Sequence, residues 1–164
     1  MKKLIYVVLA LGIFGGCKSP EQAIEKVQEP QFLITMERTA CFGKCPVDET
    51  TLSSDGQLWY KGVQFSIVDG SYYSNTDKGD YFQELYDTYF SMDYQDEYDD
   101  PYISDMPSTI FSFYKDNVVV KKVIIRVDGP SELRELEGKI KAILKETSNW
   151  VDSTNPRMQH SKDR

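Results

Sequence analysis

Asp55-Gly56 separates two short segments in which apolar and polar residues alternate. Aspartate and glycine both tolerate a positive φ, and this pair of residues is the strongest short-range signal of a β-hairpin turn. We therefore predict that residues 47–53 and 57–61 are antiparallel strands joined by this turn. Residues 32–39 show the same period of two and predict a strand before the hairpin, with Phe32, Ile34 and Met36 on one face.

Two further regions have the composition of strands. Residues 63–73 place Val63, Phe65 and Ile67 on one face, and Gly70 predicts a bulge or bend within this fourth strand. Residues 109–114 and 118–127 are rich in β-branched and aromatic residues, so they predict a second hairpin.

Two segments change to the helical spacing of three and four residues. Thr76 is a capping residue type and precedes the first segment, whereas Gly129 and Pro130 open the second, with proline suited to the first helical position. We expect Trp150, after the second helix, to close the core. The apolar stripes consist of Phe82, Leu85, Tyr86, Tyr89 and Phe90 in the first helix and Leu133, Leu136, Ile140, Ile143 and Leu144 in the second.

These elements predict an α+β fold with the order ββββ-α-ββ-α. Hairpins make antiparallel pairs and one-sided helices need a sheet face to cover. We therefore expect a two-layer sandwich, in which both helices pack on one face of a mostly antiparallel sheet of about six strands. The 164 residues allow one domain of roughly 100–150 residues, which we place at residues 32–151. A hydrophobic content of 40% excludes a wholly disordered chain.

The N-terminus has the parts of an export signal. Lys2 and Lys3 precede an apolar run at residues 4–14, which is shorter than the roughly 20 residues of a spanning helix. Gly15-Gly16-Cys17 follows and resembles a bacterial lipobox, in which the cysteine becomes the lipidated first residue of the mature protein. We therefore predict a signal peptide at residues 1–16 and lipidation of Cys17. An ordinary cleaved secretion signal is the alternative.

Residues 17–31 and 152–164 are polar and contain proline, so we expect a flexible tether and a disordered tail. Two or three acyl chains, at about 0.8 kcal/mol per buried methylene, hold a domain on a membrane durably. The membrane is thus the expected partner of the N-terminus. Lys18 is not the aspartate that retains Gram-negative lipoproteins at the inner membrane. The resemblance therefore implies the outer membrane of the cell envelope, on its periplasmic or surface-facing side.

The charge of the chain argues against nucleic acid as a partner. Removing residues 1–16 takes away two of the 19 basic residues and none of the 26 acidic ones, so the formal charge of the remainder is −9. Phosphates repel such a surface. The single histidine, His160, lies in the predicted tail, and no Gly-rich phosphate loop follows a strand. We therefore assign no catalytic residue, no cofactor and no metal from the sequence.

Cys41 and Cys45 lie between the first two predicted strands. In an oxidising compartment two nearby thiols form a structural disulfide, and three intervening residues including Gly43 allow the necessary turn. Closing so small a loop stabilises the fold by only about 2 kcal/mol, so the bond mainly fixes the path between the strands. A redox-active pair and a metal site are the alternatives, and both lack the usual accompanying residues.

The segment Cys41-Phe42-Gly43-Lys44-Cys45-Pro46 resembles an uncharacterised domain family of bacterial lipoproteins and exported proteins, which is marked by Cys-Phe-Gly-x-Cys-Pro. The resemblance covers residues 33–151. It includes Asp55-Gly56, Trp59-Tyr60-x-Gly62, the Tyr-rich helix and Asp105-x-Pro107, and it departs at Asp48, where the family tends to place an apolar or aromatic residue. It implies the fold and the location, and no catalytic residue, because the family has no assigned activity.

Residues 92–107 are acidic and carry Tyr94, Tyr98 and Tyr102. A tyrosine offers a flat ring with a polar tip, so these three are our candidate ligand-binding residues. The segment lacks the spacing of a calcium loop, which favours a solvated, self-repelling loop over a calcium site. A carboxylate pair drawn from Asp96, Glu97, Asp99 and Asp105 is the candidate for glycosidase-like chemistry.

The favoured function is a non-enzymatic, membrane-tethered module that binds an envelope protein, a peptide or a glycan. The alternatives are a small envelope hydrolase that uses carboxylates and a thiol-disulfide oxidoreductase. A deep pocket with paired carboxylates favours the hydrolase, and a convex surface favours binding.

Overall fold

The computed structural model describes residues 31–103 and 105–154. The predicted signal peptide, Cys17, nearly all of the tether and residues 155–164 of the predicted tail lie outside the described residues. Within the described part of the chain, neither helix is long and apolar enough to cross a membrane.

The fold is α+β, and its sheet has eight strands rather than the six predicted. The strands are β1 (Phe32–Arg38), β2 (Val47–Ser53), β3 (Gln57–Gln64), β4 (Gly70–Asn75), β5 (Glu97–Tyr98), β6 (Thr109–Lys115), β7 (Val118–Ile125) and β8 (Val151–Asp152). Their spatial order is β5-β7-β6-β1-β2-β3-β4-β8, and every pair is antiparallel except β5 with β7. The additional strands, β5 and β8, have two residues each, which is too short to produce an alternating sequence pattern.

Two helices, α1 (Gly79–Phe90) and α2 (Ser131–Glu146), share one core with the sheet. In that core Ile34 of β1 lies opposite Leu52 of β2 and Phe113 of β6. The predicted stripes are confirmed apart from Phe90, which is 38% exposed, and Trp150 packs against the core as expected. The core residues are Ile34, Met36, Leu52, Leu58, Tyr60, Phe82, Leu85, Tyr86, Tyr89, Phe111, Phe113, Val123, Leu133, Leu136, Ile140, Ile143 and Leu144.

Both helices begin later than the sequence predicts. The Thr76 hydroxyl donates to the Gly56 carbonyl at 2.8 Å and accepts from the Lys78 amide at 3.2 Å, so Thr76 stabilises the turn before α1 instead of capping it. Pro130 is the residue before α2 and not its first helical residue. Backbone packing explains why α1 begins at Gly79 and not directly after Thr76. A Cβ on Gly79 would lie 2.7 Å from the Ser54 carbonyl oxygen, so α1 begins where its backbone touches the β2–β3 turn.

The predicted fourth strand at residues 63–73 exists, but its predicted start was wrong. β3 continues to Gln64, a loop follows, and β4 begins only at Gly70, whose φ is +120°. The loop folds back against β3 and brings the Val68 carbonyl oxygen close to Gly62. The approach is so close that a Cβ on Gly62 would lie 1.9 Å from this oxygen. The alternation of apolar residues here does not mark a buried face, since Val63, Phe65 and Ile67 are 57%, 48% and 67% exposed.

The two ends of the sheet carry different connections. One end, called the loop end below, carries the β1–β2, β3–β4 and β5–β6 connections together with the link from β7 to α2. The chain enters the domain at the opposite end, where the Asp116 amide donates to the Gln31 carbonyl at 2.9 Å. The predicted tether therefore joins the domain at the end of the sheet away from these loops.

Candidate functional site

A disulfide closes the β1–β2 connection at the loop end. Cys41 and Cys45 are joined with their Cα atoms 5.7 Å apart, which confirms the predicted bond. Inside the loop the Gly43 amide donates to the Cys41 carbonyl at 2.8 Å. The covalent link and this hydrogen bond limit the conformations of the residues between the cysteines.

Phe42 lies inside this closed loop and is 96% exposed. Exposing a phenylalanine side chain forgoes about 1.5–3 kcal/mol of burial free energy, so its ring contributes nothing to the core. Because the closed loop restrains the Phe42 backbone, binding through this ring costs less backbone entropy than binding through an unrestrained loop.

Two other connections at the same end also expose apolar side chains. In the β3–β4 connection Phe65, Ile67 and Val68 are 48%, 67% and 45% exposed. In the β5–β6 connection Tyr102 is 94% exposed, and Ile103 and Met106 are exposed as well. Single exposed apolar residues need no explanation, whereas several of them on neighbouring connections make that end of the domain a candidate interaction site. We call this set the apolar rim: Phe42, Phe65, Ile67, Val68, Tyr102, Ile103 and Met106.

A buried ionic network supports the apolar rim from below. Arg38 donates to the two oxygens of Asp48 from Nε at 2.7 Å and from an Nη atom at 2.5 Å. The Tyr60 hydroxyl donates to the same carboxylate at 3.0 Å and accepts from the Ile67 amide at 3.1 Å. Asp48 is only 2% exposed. The network thus connects β1, β2 and β3 to the β3–β4 connection.

Two members of this network have raised pKa values. The hydrogen bond and charge of Asp48 raise the pKa of the Arg38 guanidinium. Burial raises the pKa of the Tyr60 hydroxyl, and its hydrogen bond to Asp48 raises it further. Near neutral pH Arg38 is therefore charged, and Tyr60 is a neutral hydrogen-bond donor.

Hydrogen bonds also tie the first and third connections together. The Thr39 amide donates to the Ser108 carbonyl at 2.9 Å, and the Ser108 amide donates to the Thr39 hydroxyl at 2.8 Å. Each of the three connections is thus bonded to the sheet or to another connection. Such anchoring reduces the entropy that loops lose when they bind a partner.

The loop end is acidic. Its connections, residues 39–46, 65–69, 99–108 and 126–130, contain two basic and five acidic side chains, for a net charge of −3. Arg126 pairs with Glu97 and with Asp99 and so neutralises part of the charge next to β5. The remaining carboxylates belong to the same connections as the exposed apolar side chains, so the surface is complementary to a partner that carries both apolar and basic residues.

The predicted tyrosine patch is distributed between two environments. Tyr94 and Tyr98 are half-buried and pack against the core, and only Tyr102 is fully exposed. The Lys121 ammonium lies 5.0 Å from the centre of the Tyr94 ring, and burial raises the Tyr94 pKa to about 12. Of the three candidates, Tyr102 alone therefore offers its ring to a ligand, and it lies at the loop end, as Phe42 does.

The carboxylates proposed for hydrolytic chemistry lie on the exposed surface. Glu97 and Asp99 are engaged by Arg126, and Asp96 and Asp105 are exposed. Among residues 31–103 and 105–154, no group of three or more His, Cys, Asp or Glu side chains has the arrangement of a metal site.

The sequence did not lead us to Phe42, which has the most exposed aromatic ring in the described domain. The available signal was the spacing of the cysteines, since a phenylalanine inside a five-residue disulfide loop has little chain length with which to reach a core. The sequence also did not lead us to the Arg38–Asp48 pair. Their pairing follows from the β1–β2 register, in which the two residues lie directly opposite each other.

Residues 32–144 match the model of a protein family described as a domain of unknown function, DUF6438. The chain belongs to the DUF6438 family. The matched residues run from β1 through nearly all of α2, so the DUF6438 domain includes the disulfide loop, the ionic network and the apolar rim. No curated protein and no solved structure matches the chain.

Proposed function

We propose that this DUF6438 protein is a lipoprotein of the cell envelope whose domain binds another envelope protein through the apolar rim. The single observation that carries the proposal is the 96% exposure of Phe42 on a disulfide-closed loop. A flexible loop would add an entropic cost to binding, whereas this loop is restrained before any partner arrives.

The composition of the rim agrees with that of a protein interface. Binding energy concentrates in a few large side chains near the centre of an interface, and aromatic residues are enriched among them. Phe42 and Tyr102 are both more than 90% exposed and belong to neighbouring connections whose bases are hydrogen-bonded. The acidic residues of the same connections favour a partner that carries lysines or arginines as well as apolar residues and disfavour anionic lipid and nucleic acid.

The location rests on the sequence. Lipidation of Cys17 anchors the chain by its N-terminus, and Lys18 favours the outer membrane. The tether enters at the end of the sheet opposite the apolar rim, so an extended tether holds the rim away from the membrane surface. Mass spectrometry of the native N-terminus tests the anchor. A diacylated or triacylated Cys17 is expected, and an unmodified chain with residues 1–16 intact would refute the location.

Site-specific photocrosslinking in intact cells tests the binding function. A photoreactive phenylalanine analogue replaces Phe42 in one variant and Tyr102 in a second. A third variant carries it at Val118, which is 63% exposed but lies at the opposite end of the sheet. We expect one discrete protein adduct shared by positions 42 and 102 and absent at position 118.

A second substitution makes the result specific. Ile67→Ser changes the rim without changing the crosslinking position, so it should reduce the adduct formed from position 42 several-fold. Val119→Ser, at the opposite end, is the matched control and should leave the adduct unchanged. Equal labelling from positions 42 and 118, or recovery of lipid alone, would contradict the proposal.

A further inference from the structure

A shallow groove lies on the sheet face opposite the helices, and no residue of the apolar rim contributes to its lining. Its cavity volume is about 190 Å³, and Glu49, Thr51, Trp59, Lys61, Ser71 and Ser153 contribute to its lining. The first four of these alternate with core residues along β2 and β3, so they project from the open face. The groove is therefore separate from the binding surface described above.

The indole of Trp59 is the central feature of the groove. Trp59 is half-buried and lies in register between Thr51 of β2 and Tyr73 of β4. Strands on both sides pair with its backbone, so the residue has a defined position on the open face. A half-exposed tryptophan at such a position offers one flat apolar face and leaves its edges to polar neighbours.

The polar groups around Trp59 are of both signs. Glu49 and Lys61 lie directly opposite each other, yet no ion pair joins them within the described part of the chain. One accepts hydrogen bonds, the other donates them, and their charges cancel. The Ser71 and Ser153 hydroxyls border the same space. The lining thus suits a neutral ligand with several hydroxyl groups and does not suit an anion or a cation.

The size of the groove further limits which ligands it can accept. A volume of 190 Å³ is below the range of about 300–1,000 Å³ for sites that enclose drug-sized molecules. The groove is therefore large enough for part of a small ligand, such as one sugar ring lying on its surface, and too small to enclose a larger molecule. A pyranose ring has an apolar face of C–H groups that stacks on an indole and equatorial hydroxyls that bond to carboxylate, ammonium and hydroxyl groups.

We propose that this groove binds one pyranose unit of a neutral glycan, stacked on Trp59 and oriented by Glu49 and Lys61. The site is independent of the apolar rim, so it adds a second ligand to the proposed binding function. An envelope protein with both surfaces would hold a protein at one end of its sheet and a saccharide on the open face.

Tryptophan fluorescence of the full chain tests the proposal. The chain has two tryptophans, and Trp150 packs on the core near Tyr60, so Trp150→Phe leaves Trp59 as the sole reporter. The probes are the methyl glycosides and trisaccharides of glucose, galactose and N-acetylglucosamine. We expect a saturable change in emission with at least one of them. Isothermal titration of the unsubstituted chain with the same probe provides a measurement that does not depend on the Trp150 variant.

Variants of the groove identify the site. Trp59→Ala should abolish the heat of binding, and Lys61→Met should weaken binding at least tenfold. Lys122→Met is the matched control, because Lys122 is an exposed lysine of β7 outside the groove. This variant should bind sugar as the unsubstituted chain does. Phe42→Ser should also leave sugar binding unchanged, which separates this site from the apolar rim.

Three outcomes would overturn the proposal. They are no saturable response to any of the six sugars, a response that survives Trp59→Ala, and binding of glycine or inorganic phosphate in place of sugar. Each of these results would leave the crosslinking test of the apolar rim unaffected.

Discussion

Replacing Asp48 by asparagine removes the charge that Arg38 contacts in the domain. The carboxylate accepts two hydrogen bonds from Arg38 and one from Tyr60, at 2.7, 2.5 and 3.0 Å, and Asp48 is 2% exposed. Removing one member of a buried ion pair costs about 3–5 kcal/mol, because the other charge stays buried without compensation. The Arg38 side chain is 14% exposed, so water solvates part of it, and we expect the low end, about 3 kcal/mol.

Urea unfolding at neutral pH measures this loss. With a dependence on urea of about 1–3 kcal/mol per molar, a loss of this size moves the midpoint down by roughly 1–3 M. Glu49→Gln is the matched control in the same strand, because Glu49 is exposed on the open face and should change the free energy of unfolding by less than about 0.5 kcal/mol.

The double variant Arg38→Met, Asp48→Leu refines the test. Replacing both charges by apolar side chains leaves no buried charge, so it should cost less than Asp48→Asn alone. The reasoning fails if Asp48→Asn unfolds within about 0.5 kcal/mol of the unsubstituted protein, or if the double variant is the less stable of the two.

Three further predictions concern other parts of the domain. Cys41→Ser with Cys45→Ser should lower the free energy of unfolding by about 2 kcal/mol in urea, and a reductant should then have no further effect; a variant as stable as the oxidised protein would contradict this. Gly62→Ala should destabilise the domain by more than about 2 kcal/mol, because its Cβ would lie 1.9 Å from the Val68 carbonyl oxygen. Its control, Gly138→Ala, has open space around it in the α2 interior and should stabilise by about 0.5–1 kcal/mol in the same assay; the opposite order of stabilities would refute the packing argument. The raised pKa of Tyr94, about 12, predicts a stability contribution that is complete below pH 10 and is lost as pH rises towards 12, because the unfolded chain ionises first. Tyr94→Phe should therefore lose less stability than the unsubstituted protein between pH 9 and pH 11 in urea titrations, and parallel losses would contradict the assignment.

Local patterns were sufficient for most of the secondary structure. Asp55-Gly56 predicts the β2–β3 hairpin because a φ of +86° at Gly56 is one that glycine adopts without strain. The apolar spacing in α1 and α2 likewise predicts which residues are buried, since a helix with one apolar stripe can bury only that face. The Cys41–Cys45 bond was predicted from the short spacing of the two cysteines together with the predicted export, and the structure has this bond.

The candidate surfaces were predicted far less well. Phe65 and Ile67 continue an alternation typical of a buried strand but lie exposed. They belong to the β3–β4 connection, which folds back so that the Ile67 amide donates to the Tyr60 hydroxyl and the Val68 carbonyl approaches Gly62. Tyr94 and Tyr98 were expected in a binding patch and instead pack on the core, because β5 brings their segment against β7. In both cases a contact distant from the local pattern decides which side chains reach solvent.

The sequence by itself thus determined the fold class, the two amphipathic helices, the central hairpin and the disulfide, because each depends on residues close together in the chain. Only the tertiary structure decided which end of the sheet collects Phe42, Ile67 and Tyr102 and which face leaves Trp59 accessible. Those surfaces join connections that are far apart along the chain, and their exposure depends on strand order and register. The periodicity of any single segment contains no information about either.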